Sequence, residues 1–105
     1  MSETEANMAK LREVFGDFMT FTDERLFGEI WKRPGLSPRD RSLITVAVIA
    51  ANCRPDPLRH HLQFALANGV TKDELKEALM HVAFYAGWPT AISAMQVATE
   101  ILAEA

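Results

Sequence analysis

The stretch "SPRDRSLITVAVIAAN", residues 37–52, decides the fold of this 105-residue chain. Ser37 and Pro38 favour the N-cap and the first position of a helix, and Asp40 places a negative charge near the positive end of the helix dipole. Beyond its first turn the stretch is apolar on almost every side, so the helix should be buried on most faces. Its β-branched residues also suit a strand, but the capping signal and the helical neighbours favour a helix over residues 38–52.

Three further helices are predicted to follow it. Their boundaries are marked by capping residues, prolines and glycines. The expected ranges are 57–68, 72–86 and 89–104, and the residues that set them are Asp56, Pro57, Gly69, Thr71 with Glu74 as a capping box, Gly87 and Pro89. The short connection "NGVT" makes the first two of these helices a tight antiparallel helical hairpin.

The N-terminal part is predicted to form two helices. Residues 3–18 place apolar side chains at helical spacing, and Thr22 precedes a second helical pattern in "DERLFGEIWKR", residues 23–33. We therefore expect an all-α protein, a small helical bundle of about five to six helices with a central antiparallel helical hairpin. It should form a single domain over residues 1–105, with residues 1–25 as an N-terminal helical arm.

Composition and charge exclude several classes of protein. Apolar residues make up 49%, charged residues 24%, and the formal net charge is −3, which is typical of a globular protein without a nucleic-acid or anionic-membrane surface. The single Cys53 excludes an intrachain disulfide, a CxxC pair and a cysteine-rich zinc site. The longest apolar run, residues 46–51, is too short to span a bilayer, and the N-terminus lacks the apolar segment of a secretory signal. We expect a cytoplasmic protein.

Two adjacent histidines, His60 and His61, lie on the predicted helix over 57–68. Three- and four-residue spacing places His61 in the apolar stripe, whereas His60 lies about 100° away and faces water. His81 comes late in the next helix, at the border between its apolar and polar faces. Because the helices of an antiparallel hairpin run in opposite directions, His61 and His81 are expected to approach the same end of the bundle.

These segments resemble the carboxymuconolactone decarboxylase family, within the alkyl hydroperoxidase D-like superfamily, over about residues 28–100. The pattern L-x-x-H-x-x-x-A-x-x-x-G begins at Leu58, and the pattern H-x-x-x-Y-x-G-x-P begins at His81. The resemblance implies an all-α fold with a family core over residues 28–104 and assembly into trimers or hexamers. It also implies decarboxylation of a γ-lactone acid in the breakdown of aromatic compounds, without a metal or an organic cofactor.

The hydroperoxidase branch of the same superfamily uses a CxxC pair instead. Its matching positions here are Arg54 and Pro57, and Cys53 has no second thiol with which to close a catalytic disulfide, so peroxide reduction is not expected. Pro57 also occupies the position just before the Leu-x-x-His motif, where an acidic residue is often found. A non-catalytic oligomer that binds a ligand or a partner therefore stays open as the alternative to an enzyme.

The candidate site residues follow from this chemistry. His61 is the candidate acid or base, since imidazole titrates near neutral pH and partial burial favours its neutral form. Arg41, with Arg33, is the candidate for binding the substrate carboxylate, because a guanidinium binds a carboxylate in bidentate fashion. His81 is the candidate second proton carrier, and Tyr85 would orient the substrate. Packing or interface contacts are the alternative role for each, and the spacing of the histidines does not favour a metal site.

Overall fold

A computed structural model describes residues 2–103, with the side chain of Thr4 left aside. Over this range the chain is helical and contains no strand, which confirms the predicted all-α class. The described residues divide into two compact units, one ending at Gly35 and the other beginning at Leu36. The predicted single domain, with an arm over 1–25 and a family core over 28–104, stays a prediction. No helix in the described range is long and apolar enough to cross a membrane.

The first unit has three helical segments, α1 (Glu3–Val14), α2 (Gly16–Phe21) and a π-helical segment (Thr22–Ile30). The predicted single helix over 3–18 was wrong, because the backbone leaves the helical conformation at Phe15, just before Gly16. An ion pair between Arg12 and Asp23, 2.8 Å from Nη1 to Oδ2, links α1 to the π-helical segment.

The π-helical turn replaces the ordinary helix that the apolar pattern predicts near residue 23. The backbone N–H of Trp31 donates to the carbonyl of Leu26, five residues earlier, at 2.9 Å. A Cβ at Gly28 would lie 3.0 Å from the carbonyl oxygen of Asp23, so this turn favours glycine at that position.

The second unit consists of α3 (Pro38–Ala51), α4 (Pro55–Ala67), α5 (Lys72–Ala86) and α6 (Trp88–Leu102). The Ser37 hydroxyl accepts a hydrogen bond from the N–H of Asp40, and the capping box of Thr71 and Glu74 forms in both directions, as predicted. Gly87, with φ of +106°, separates α5 from α6.

Two predicted helix boundaries differ from the structure. The helix α4 begins at Pro55, because Arg54 and not Asp56 is its N-cap residue. The helix α6 begins at Trp88, one residue earlier than expected. Its predicted end at residue 104 lies outside the described residues.

The core of the second unit is formed by one side of each of its four helices. Its buried side chains are Val46, Ala50, Leu58, Leu62, Ala65, Val70, Leu75, Leu79, Ala94, Ala98 and Leu102. The helices α3 and α6 contact each other, and both α4 and α5 pack on each of these two. This corrects the predicted close packing of the α4–α5 hairpin, since those helices pack mainly on α3 and α6 and much less on each other.

The helices α3 and α4 form an antiparallel pair, and this pair carries His61 and Arg41. The side-chain amide of Asn68 donates to the buried hydroxyl of Ser42 at 2.9 Å, which places the end of α4 beside the start of α3. At the opposite end, the N–H of Arg54 donates to the carbonyl of Ile49 at 3.4 Å.

Candidate functional site

His61 lies half-buried on α4, and His60 beside it is exposed, so the predicted difference between the two histidines is confirmed. The Nδ1 atom of His61 is buried and makes no hydrogen bond with any residue of the described range. Buried polar atoms are usually paired, and exceptions often occur at functional positions. The His61 ring is therefore partly accessible to solvent, and its buried Nδ1 is unusual because it has no hydrogen-bond partner among the described residues.

Phe64 packs against both histidine rings one turn further along α4. The ring centroids of His60 and His61 lie 5.2 Å apart in an edge arrangement. The Phe64 centroid lies 6.1 Å from that of His61, again edge-on, and 6.4 Å from that of His60, stacked. These are the distances of favourable aromatic contacts, so Phe64 limits the orientations open to the His61 ring.

The surroundings of His61 favour its neutral form. Burial lowers the pKa of His61 below its ordinary value, and a positive charge on His60 lowers it further. The partial burial of His61 expected from the sequence thus lowers the pKa of its ring, as expected.

We expect the stability of the protein to fall as the pH falls below about 6.5, the ordinary pKa of a histidine such as His61. Because the folded pKa of His61 is lower, the unfolded chain binds this proton more readily, and the free energy of unfolding decreases until the folded ring is also protonated. Urea unfolding between pH 5 and 8 measures this slope. His61→Gln should flatten it, whereas Gln63→Ala, an exposed change on the same helix, should leave it as in the parent protein. An identical slope in His61→Gln would contradict the prediction.

Arg41 lies in the first turn of α3, half-buried, with its Nε atom buried. It precedes Ser42 by one residue, and His61 precedes Asn68 by seven, so a rise of about 1.5 Å per residue separates the two backbone positions by about 12 Å along the α3–α4 pair. The two residues thus belong to the same helix pair, with Arg41 near the start of α3 and His61 near the middle of α4.

His81 and Tyr85 lie elsewhere, on α5. Both are exposed, Tyr85 to 84%, and their ring centroids lie 5.0 Å apart. His81 lines a groove of about 610 Å³ between α3 and α5 whose lining does not include His61. The helices α4 and α5 pack on α3 and α6 and not closely on each other, so the expected approach of His61 and His81 to the same end of the bundle stays a prediction.

Arg33 belongs to the first unit, just after the π-helical segment, where its side chain is exposed. Its role as a substrate ligand stays a prediction.

The α3–α5 groove was not anticipated from the sequence. Its walls are mostly apolar, with Ile44 and Phe84 among the exposed members, and Glu74, Glu77 and His81 add polar groups. Glu74 is tied to Arg39 by an ion pair. The hydrogen bond from the Thr71 backbone and, after it, the Arg39 guanidinium lower the pKa of Glu74. The sequence signal for this groove is the apolar character of α3 on all its sides.

The remaining donor groups are dispersed. Among residues 2–103, no three His, Cys, Asp or Glu side chains are grouped so that they could hold a metal ion. Cys53 is an exposed free thiol in the turn after α3, with a positive φ of 57°.

Comparison with known proteins identifies the family. A family model described as the carboxymuconolactone decarboxylase family matches residues 16–100, which include both motifs and the α3–α4 pair. The chain belongs to this family. The resemblance drawn from the Leu58 and His81 motifs is thereby confirmed.

Three relatives show how close this membership is. A 4-carboxymuconolactone decarboxylase of Acinetobacter baylyi is 45% identical over 95 residues, which cover 90% of this chain and 71% of that protein. A nitrosuccinic acid decarboxylase of Metarhizium robertsii is 42% identical over 74 residues, 70% of this chain and 52% of that protein. An uncharacterised 15.0 kDa protein of Paracoccus denitrificans is 32% identical over 83 residues, 77% of this chain and 62% of that protein. The chain therefore spans between about half and seven tenths of the length of these three relatives.

Proposed function

We propose that this protein is a carboxy-lyase that removes CO2 from a small carboxylated compound, with His61 and Arg41 at its site. The observation that carries the proposal is the 45% identity with a 4-carboxymuconolactone decarboxylase over 90% of the chain. The half-buried, neutral imidazole of His61 and the guanidinium of Arg41 on the neighbouring helix support it.

The names of two relatives indicate the substrate class. Both 4-carboxymuconolactone and nitrosuccinic acid carry two carboxyl groups and an oxygen-bearing group, a lactone or a nitro group, that can accept an electron pair. Loss of CO2 leaves an electron pair on carbon, which such a group can delocalise onto oxygen. We propose a substrate with the same two features for this chain. A role in the breakdown of aromatic compounds follows if 4-carboxymuconolactone is the compound that it converts.

Arg41 is proposed to bind the carboxylate that the product retains. A cation held on the departing carboxylate would stabilise the ground state and not the transition state, because that group loses its charge as CO2 forms. Arg41 therefore acts in binding and orientation, and His61 acts at the reacting centre.

The direct test is turnover by the purified 105-residue chain. We expect CO2 release from 4-carboxymuconolactone or from nitrosuccinate, each measured separately beside a thermal-shift assay. Binding without turnover would overturn the proposed activity in favour of the non-catalytic, ligand-binding alternative. If neither compound binds and neither is converted, the proposed substrate class is overturned as well.

We expect Arg41→Lys to raise KM by about 10-fold or more with little change in kcat, because lysine keeps the charge but loses the bidentate hydrogen bonds. Steady-state kinetics measures the split. Arg59→Lys is the matched control, since Arg59 on α4 is already paired with Glu100 and Asp56. An unchanged KM would exclude Arg41 as the carboxylate ligand.

The apolar surface of the second unit supports self-assembly, with the trimer or hexamer that the family resemblance implies as the expected form. Six large apolar side chains of this unit are between 45% and 72% exposed, namely Ile44, Val48, Met80, Phe84, Trp88 and Ile92. Exposed apolar surface of this kind is typical of protein–protein contact sites. We propose that the α3–α5 groove forms part of the contact between copies.

Assembly is tested by Phe84→Glu, which puts a charge into the apolar groove. At low micromolar concentration, light scattering should give a mass well above 11.7 kDa for the parent protein and a smaller mass for the variant, with unchanged helix content. Gln63→Glu adds the same charge on an exposed site of α4 and should assemble normally. A parent protein with the measured mass of a monomer would refute the proposal.

A further inference from the structure

The two ring nitrogens of His61 have different surroundings. Nδ1 is buried and has no hydrogen-bond partner among the described residues. The side chain as a whole is only half-buried. The accessible part of the ring therefore lies on the side of Nε2 and its neighbouring carbon atoms.

This asymmetry decides which nitrogen carries the proton of the neutral ring. A neutral imidazole has one N–H donor and one acceptor nitrogen. Folded proteins seldom leave a buried N–H without an acceptor, whereas a buried acceptor with an unused lone pair is commoner. The proton of His61 is thus expected on the accessible Nε2, with the lone pair on the buried Nδ1.

The charged groups around α4 do not offset the cost of a second proton on this ring. His60 is adjacent on the same helix. The facing helix α3 carries the cations Arg39 and Arg41, and its one carboxylate, Asp40, is paired with Arg39. The acidic groups on this side, Glu100 of α6 and Asp56 of α4, are both engaged by Arg59. An imidazolium would bury a charged N–H at Nδ1 with no carboxylate to receive it, and this agrees with the lowered pKa of His61.

We infer that His61 acts as a neutral hydrogen-bond donor through Nε2–H, and not as the group that carries the proton. The inference rests on the proposed decarboxylase function and specifies the role of that site. As the bond between carbon and the leaving carboxylate breaks, its electron pair passes to a lactone or nitro oxygen of the substrate, and CO2 departs. The Nε2–H stabilises the negative charge that develops on that oxygen. The carbon then takes a proton from water, and the hydroxide combines with CO2 as bicarbonate.

His61 keeps its proton in every step of this proposed reaction. Neutral imidazole is known to polarise substrate oxygens in this way in enzymes where the surroundings lower its pKa. The role also defines the substrate, because a carboxylic acid without an oxygen-bearing electron acceptor in conjugation with the carbon that loses CO2 offers nothing for the donor to stabilise. We expect succinate, the analogue of nitrosuccinate without the nitro group, to remain unconverted.

The tautomer is measured by long-range 1H–15N NMR correlation on the assembled, uniformly 15N-labelled protein at pH 7 and 8. We expect His61 to show a protonated Nε2 and an unprotonated Nδ1, with the signals assigned by their loss in His61→Gln. An Nδ1–H tautomer, or an imidazolium at pH 7, would overturn the inference. This measurement requires no substrate.

The role itself is tested by comparing His61→Gln with His61→Ala. Glutamine offers an amide N–H donor but cannot carry a proton at neutral pH, so it should retain at least 10-fold more kcat than alanine. Equal kcat values for the two variants would overturn the donor role. Absence of turnover by the parent protein would overturn the proposed function and this role with it, whereas an Nδ1–H tautomer in an active enzyme would overturn this role alone.

Discussion

His61→Ala should lower kcat by about 100- to 1000-fold on the compound that the parent protein converts, the usual effect of removing one preorganised donor to a developing oxyanion. The assembled mass and the helix content should stay unchanged, because the ring is only half-buried and lies outside the buried core of α4. CO2 release, light scattering and circular dichroism on the same samples measure the three quantities.

Gln63→Ala serves as the matched control, because Gln63 is an exposed polar residue on the same helix two positions away. It should keep parental kcat and KM. If His61→Ala loses its assembly together with its activity, the ring has a structural role at an interface. If its kcat equals that of the parent protein, the catalytic role of His61 is wrong.

Much of the site could be predicted because helical periodicity acts over short distances. The spacing of Leu58, His61, Leu62 and Ala65 places His61 in the apolar stripe, and the structure has it half-buried there. The same reasoning places His60 in water. Neither conclusion needs to know which helix α4 packs on.

The relation between His61 and Arg41 could not be predicted, because it depends on a contact far apart in the chain. The hydrogen bond from Asn68 to the buried Ser42 sets the register of α3 against α4. No local pattern in the sequence predicts this hydrogen bond. Whether His61 and His81 lie close together depends on such contacts as well, because α4 and α5 pack mainly on α3 and α6.

The surroundings of α3 show a second limit of sequence reasoning. Its apolar residues on all sides indicate that it should be covered on most faces, and its inner side does carry the buried Val46 and Ala50. Ile44 and Val48, however, stay about half exposed within the single chain. Periodicity cannot separate a face covered by the same chain from one left for another copy, because both are apolar.

The other large effect is expected in stability, for Leu62→Ala. Leu62 is completely buried in α4, next to His61 in the sequence, and its truncation should cost about 3–5 kcal/mol of unfolding free energy through lost burial and the cavity left behind. Small domains are stable by only about 5–15 kcal/mol, so the variant should be close to unfolding at 37 °C. Urea unfolding at 25 °C measures the loss.

Leu66→Ala, one turn further along the same apolar stripe, provides the comparison, because Leu66 is only partly buried against the core. Its truncation removes the same atoms but leaves a site that solvent and neighbouring side chains can fill, so less than half the cost is expected. Equal losses for the two variants would contradict the burial difference along α4. Leu62 is buried in the core, whereas His61 is only half-buried on the same helix. Leu62→Ala should therefore also lower the amount of active protein. Its kcat per folded molecule should change much less than that of His61→Ala.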